Sequence, residues 1–183
     1  MKSAHPSRRQ QPAIADRPTW LLVAIAGVVA LVVGAARMKD HILYNGSSSM
    51  PIGFYLRTDK PIVRDAFVTV RASDVAPAYA RLRGFTGERD RFIKHVVGVA
   101  GDEVCASGDT VSLNGAILAH RQTRDSVGRM LPAWLGCETL ASDEVFLIGE
   151  TEDSFDGRYF GPIQRANIEG VWRPLLVSQQ QQH

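Results

Sequence analysis

Metal-ligand spacing is absent from this chain. Its two cysteines, Cys105 and Cys137, are accompanied by no paired Cys/His spacing, so no zinc or other metal site is expected. An excess of one charge is lacking too. Lys and Arg number 21 against 19 Asp and Glu, too even a balance to argue for a nucleic-acid partner. No dense basic cluster is interleaved with aromatic residues, which removes the usual nucleic-acid footprint. No internal repeat is visible, and with it goes the signature of a repeat array. What remains is the composition of a folded protein. At 183 residues it is long enough for one domain with a real core, plus an anchor.

One stretch departs from that average. Trp20 to Ala36 reads WLLVAIAGVVALVVGAA and holds no charge and no strongly polar side chain. A helix across a bilayer needs roughly 17–25 such residues, so this run sits at the short end. Pro18 and Thr19 suit a helix start. A buried helix of a soluble protein is one alternative, but such helices rarely lack polar residues on every face. A cleaved signal peptide is the other. Gly34, Ala35 and Ala36 would suit its cleavage site, yet the run exceeds the roughly 7–15 apolar residues of a signal core. A signal anchor is the expectation. Lys2, Arg8, Arg9 and Arg17 precede the run, while Arg37 and Lys39 follow it. That bias puts the N-terminus in the cytoplasm and the rest of the chain outside. In an exported domain, an even cysteine count permits a disulfide between Cys105 and Cys137, worth roughly 3–4 kcal/mol in the chain-entropy model. Two buried free thiols are the alternative.

Beyond the apolar run, residues 37–48 read as a short connector. GFYLR and AFVTVRA carry the alternation and the β-branched and aromatic content of strands. APAYARLRG reads as a short helix ending at Gly84. RFIKHVVGVAGDEVCA reads as a long strand broken at Gly101-Asp102, and Asn114-Gly115 in TVSLNGAIL is a strong hairpin signal. EVFLIG and IEGVWRPLL supply further strands. Many short strands and little helix predict a mainly β, antiparallel domain.

Three stretches carry candidate chemistry. In NGSSSMPIGFY, Pro51 fixes its own φ and pushes Met50 toward extended backbone, which would hold Ser49 rigidly. An ordinary Ser-rich connector is the bland alternative. In RFIKHVVGV, the two-residue period puts Phe92, Lys94, Val96 and Gly98 on one face, with His95 on the other. A lysine between Phe92 and Val96 can be desolvated, which lowers its pKa and lets the neutral amine accept a serine proton. The alternative is an exposed lysine guarding an edge strand. In TEDSFDGRYFGP, Asp156 and Arg158 can pair, and Ser154 can orient another polar group. A polar loop with a structural ion pair would explain the same residues.

Together the three stretches resemble the signal peptidase family of serine proteases, which use a Ser-Lys dyad. Ser47, Ser49, Met50 and Pro51 match its S-x-S-M-(x)-P segment, KHVVGVAGDEV its base-strand signature, and Ser154 to Gly161 its S-x-D-x-R-Y-(F/W)-G box. The resemblance runs from the anchor to about Trp172. It is closest to the TraF-like branch of conjugative-transfer peptidases, in the compact SMPIGFY form, DSFDGRYFGP, the VC and GC segments and VGRMLPAW. Ala100 departs from the family's usual proline, and Gly157 stands where many members have serine.

The resemblance implies a catalytic nucleophile Ser49 and general base Lys94. The oxyanion would be held by the backbone N–H of Ser49 and the hydroxyl of Ser47. Ser154 would orient Lys94, and Asp156 and Arg158 would brace the site. It implies no cofactor. The implied fold is an antiparallel signal-peptidase-like β domain with one N-terminal transmembrane helix. Its parts would be a cytoplasmic tail (1–17), an anchor (18–37), a periplasmic peptidase domain (38–177) and a disordered tail (178–183). The implied function is processing of a propilin or other exported precursor at the inner membrane in conjugative transfer, by hydrolysis or by cyclisation through the substrate's own amine. Implied partners are that precursor, the lipid bilayer and components of a mating-pair or secretion apparatus. A general type I signal peptidase acting on signal-peptide-bearing precursors has the same chemistry. A non-catalytic membrane-anchored scaffold is the alternative of a different class.

Overall fold

A computed structural model describes residues 19–38, 41–87 and 90–178, with the side chains of 35–38 left aside. The expected cytoplasmic tail, and the expected C-terminal tail beyond Ser178, lie outside the described residues. The chain divides into two units, Met1–Met38 and Lys39–His183. In the first, α1 runs from Thr19 to Met38. Its large side chains from Trp20 to Val33 are exposed. Its described side chains end at Gly34, and among the described residues no helix is long and apolar enough to cross a membrane.

The second unit is mainly antiparallel β. One sheet has seven strands in the order β1 (Ile42–Asn45), β2 (Gly53–Thr58), β11 (Ile168–Val177), β3 (Phe67–Arg71), β4 (Arg91–Gly98), β9 (Glu144–Ile148) and β10 (Ile163–Gln164). A second sheet has four, β7 (Ala116–His120), β6 (Thr110–Leu113), β5 (Glu103–Ser107) and β8 (Gly136–Thr139). Both residues of the expected β6–β7 turn have positive φ, 52° at Asn114 and 81° at Gly115, as a two-residue hairpin requires. The sequence ASDVAPAYARLRG folds as two short helices, α2 (Ala72–Val75) and α3 (Pro77–Arg83), and Gly84 ends α3 in left-handed backbone at φ 71°.

Residues 37–48 are not only a connector. Ile42–Asn45 pairs with β2 from Ile42↔Leu56 to Asn45↔Gly53. Four residues beside a Ser-rich turn are too few to show alternation, and it is the partner strand that makes them β. Likewise β8 is exposed along its whole length and has no apolar face to read. It is tied to β5 directly, because Cys105 and Cys137 are register partners and form a disulfide.

The sheet that carries the site is buried on both faces. One face holds Val68, Val70, Val96, Val145, Leu147 and Ile163. A separate cluster of Met50, Tyr55, Ile93 and Trp172 lies beneath the serine turn. The chain passes from β4 to β5 through a turn at Val99–Asp102. The Asp102 carboxylate holds it, accepting from Val99 N at 2.7 Å, Asn114 Nδ2 at 2.8 Å and Arg64 Nη2 at 2.7 Å. The turn therefore closes with Ala100 in place of proline. Burial would raise the Asp102 pKa, but these donors outweigh it and hold the carboxyl below its usual range.

Candidate active site

Lys94, the residue within β4 that the alternation pattern marked, is 2% exposed. Strand β4 is no edge, since β3 pairs with one side and β9 with the other from His95 onward. Lys94 lies opposite Val68 in the register and beside Phe92, whose ring centroid is 5.9 Å from Nζ. Its Nζ is 3.0 Å from Ser49 Oγ and 2.8 Å from Ser154 Oγ. Its pKa is lowered from an ordinary 10.5 to about 8, chiefly by desolvation and also by the Arg158 guanidinium, against the upward pull of Asp156 and Asp153. A substantial neutral fraction is thus present near neutral pH, where an exposed lysine has almost none.

Ser49 sits in the turn between β1 and β2. Its hydroxyl contacts Lys94 and, at 3.1 Å, the hydroxyl of Ser47. Its N–H points at Ser47 Oγ over 3.4 Å, and its carbonyl accepts from Glu150 N at 2.8 Å. Three of the residues singled out from the sequence, Ser47, Ser49 and Lys94, therefore meet at one point, with Ser154 behind Lys94. Among the described residues, the histidines do not join them. His95 projects to the opposite face against Phe67, centroids 4.1 Å apart, and its Nε2 lies 3.7 Å from Glu150 Oε1. Burial lowers its pKa.

Asp156 and Arg158 are buried and bonded through two parallel contacts, Nε to Oδ1 at 2.9 Å and Nη2 to Oδ2 at 2.8 Å. The stretch is more than a polar loop. Asp156 caps the one-turn helix α4 (Gly157–Phe160) by accepting from Arg158 N, and it also accepts from Gly149 N at 2.7 Å. The guanidinium in turn donates to the carbonyls of Glu152, Thr151 and Gly149. The pair thereby fixes residues 149–152, whose Glu150 holds the Ser49 carbonyl. At Gly157, a Cβ would stand 2.6 Å from the Leu147 carbonyl, so the glycine that departs from the family pattern fits a close strand–helix approach.

The sequence did not point to Asn45, Tyr55 or Gly149. Tyr55 is fully buried and donates to Pro51 O at 2.6 Å; burial raises its pKa to about 12. Gly149 backs onto both serines. No local signal marks any of the three, because each acts through contacts made only on folding. Among the described residues no group of three or more His, Cys, Asp or Glu could hold a metal. Ile52 and Phe54 are exposed beside the turn, with the Tyr44 ring tilted at 51° to Phe54, centroids 5.1 Å apart, and Leu176 opposite Phe54 in the register.

The class is that of a serine peptidase. The family model for signal peptidase, peptidase S26, matches residues 18–176, and the chain belongs to that family. It is 34% identical over 166 residues to a plasmid transfer protein TraF of Escherichia coli, covering 85% of this chain and 94% of that protein. A second Escherichia coli plasmid transfer protein TraF is 33% identical over 166 residues, covering 85% and 93%. The probable conjugal transfer protein TraF of Sinorhizobium fredii (strain NBRC 101917 / NGR234) is 29% identical over 181 residues, covering 93% and 92%. A crystal structure of a signal peptidase I from Enterococcus faecalis V583 matches with a TM-score of 0.37 at 21% identity, covering 62% of this chain and 98% of that one.

Proposed function

We propose that this chain is a membrane-anchored serine endopeptidase in which Ser49 is the nucleophile and Lys94 the general base. The observation that carries this is Lys94 Nζ, buried and 3.0 Å from Ser49 Oγ, with Ser154 Oγ 2.8 Å on its other side. Neutral Lys94 takes the Ser49 proton as Oγ attacks the scissile carbonyl. The oxyanion forms against the Ser49 N–H and the Ser47 hydroxyl. The lysine ammonium then protonates the departing amine and leaves an acyl-Ser49 ester. Neutral again, Lys94 deprotonates the second nucleophile, and Ser49 departs with that proton. Ser154 keeps the amine aimed at Ser49 throughout, and the Asp156–Arg158 pair holds the surrounding backbone.

The substrate in this proposal is a propilin or another exported precursor in conjugative transfer, in keeping with the TraF relatives. The second nucleophile is water or the substrate's own N-terminal amine. The apolar run of α1 anchors the chain in the inner membrane, with the β domain in the periplasm. Exposed Ile52 and Phe54 beside the serine turn offer apolar surface to the substrate. Mass spectrometry of a co-expressed propilin tests the proposal. Cleavage is expected with the intact enzyme and none with Ser49→Ala, and a product lighter by one water identifies cyclisation. Cleavage that persists in Ser49→Ala removes the assignment.

A further inference from the structure

The turn that presents Ser49 is held by one side chain to which no role has been assigned. Asn45, the last residue of β1, is 6% exposed. Its Oδ1 accepts from Ser47 N at 3.1 Å, and its Nδ2 donates to Ser47 O at 2.9 Å, Met50 O at 3.0 Å and Pro51 O at 3.1 Å. Two N–H groups serve three carbonyls, so one bond is shared. We propose that Asn45 is a positioning residue that sets the Ser47 hydroxyl as an oxyanion donor beside Ser49. The inference rests on the Ser49–Lys94 chemistry proposed above.

The geometry gives Asn45 that role and leaves little room for another. Asn is unfavourable inside a strand, and a buried carboxamide costs free energy unless its groups are bonded. Here both its oxygen and its nitrogen are bonded to the turn that follows it. Ser47 is gripped at its own N–H and its own C=O by the same carboxamide, which leaves rotation of the hydroxyl as its main freedom. That hydroxyl stands 3.1 Å from Ser49 Oγ and takes the Ser49 N–H at 3.4 Å. The carbonyls of Met50 and Pro51 are drawn inward by Asn45, and Tyr55 also binds Pro51. The Ser49 carbonyl is drawn to Glu150 N. Four turn carbonyls thus face the protein and stay clear of the space beside Ser49, where a negative oxygen develops. No reacting atom touches Asn45, so it acts through Ser47.

Asparagine is specific to this task. Aspartate has the same shape and keeps the acceptor for Ser47 N, but it offers no donor to three carbonyls. Alanine removes both functions. Glutamine places the amide one carbon further out.

The test measures kcat and KM for the full chain in detergent on an internally quenched peptide with small residues before the scissile bond. The variants are Asn45→Asp, Asn45→Ala, Ser47→Ala, Asn45→Asp with Ser47→Ala, and Ser49→Ala. Rates are taken per folded molecule, from a circular-dichroism melt of each variant. Loss of one oxyanion donor lowers kcat by about 100-fold or more, so Asn45→Asp and Asn45→Ala should approach that loss with KM within about threefold. The double variant should be no slower than Ser47→Ala within about threefold, because both changes remove the same donor. Losses that multiply in the double variant overturn the role, as does a kcat per folded molecule that stays at the wild-type value. An active Ser49→Ala overturns the underlying chemistry instead. An inactive Ser49→Ala with multiplicative losses at Asn45 and Ser47 overturns only the assignment of Asn45.

Discussion

Gly149 and Ser154 approach so closely that a Cβ on Gly149 would collide with the Ser154 hydroxyl. The same Cβ would lie 2.9 Å from the Ser49 carbonyl oxygen. Gly149 is thus the floor on which both partners of Lys94 rest. Gly149→Ala must displace Ser154, Ser49 or both. Misplacement of a reacting group by about 1 Å can cost about 100-fold in rate, so a loss of that size in kcat is expected. Turnover of a quenched peptide checks it, beside a melt that shows the variant folded. Wild-type kcat in folded Gly149→Ala would mean that neither serine needs its present place.

With Lys94 as the proposed base, its amine sets the pH dependence. Only its neutral form accepts a proton, and burial brings its pKa to about 8. The rate constant kcat/KM should therefore rise about tenfold per pH unit below 7 and level off above 9. Stopped assays from pH 6 to 10 read this directly. A flat profile across that range contradicts Lys94 as the base.

The same burial has a stability consequence of known sign. In the unfolded chain Lys94 titrates near 10.5, and in the folded chain near 8. Between these values the unfolded state binds more protons, so stability rises with pH across that window. At pH 7 the full penalty stands, on the order of 3 kcal/mol from the size of the shift. Lys94→Met removes the amine and keeps an apolar stem of similar length. It loses two hydrogen bonds worth about 1 kcal/mol each, so a net gain of about 1 kcal/mol is expected at pH 7. By pH 10.5 that gain should be gone or reversed. Urea unfolding of both proteins at the two pH values measures it, and a variant that loses stability equally at both would show that the amine is not desolvated.

Much of this was legible along the chain, for physical reasons that differ by residue. The alternation in RFIKHVVGV put Lys94 on the apolar face and His95 on the other, because side chains in a strand must alternate. Asn114-Gly115 marked its hairpin because few other pairs tolerate two positive φ values. Cys105 and Cys137 could only be offered as a pair, since nothing local showed that β5 and β8 are neighbours. Ile42–Asn45 read as connector for a related reason. Its strand character is conferred by β2, and the four bonds of Asn45 exist only once the turn has folded back. Gly149 was silent because a glycine's demand for space depends on what approaches it. The sequence thus showed periodicity and local turn chemistry, and hid what depends on close tertiary approach.

Asp156 and Arg158 bear on stability more than on the reacting atoms. Both are almost fully buried, at 0% and 3% exposure, and each satisfies the other. Removing one partner strands a charge away from water, a loss of about 3–5 kcal/mol. Asp156→Asn should cost the most in proportion to its size. It keeps the shape but loses the charge, and its amide nitrogen turns a donor toward Gly149 N or the guanidinium. Arg158→Met removes the donors to the carbonyls of Glu152, Thr151 and Gly149 as well as the charge. Replacing both residues with apolar ones leaves no unpaired charge, so the double variant should be less destabilised than the sum of the single ones. Urea midpoints for the three variants measure this coupling. Strictly additive losses would mean that the two side chains support the 149–152 turn separately, and not as one ion pair.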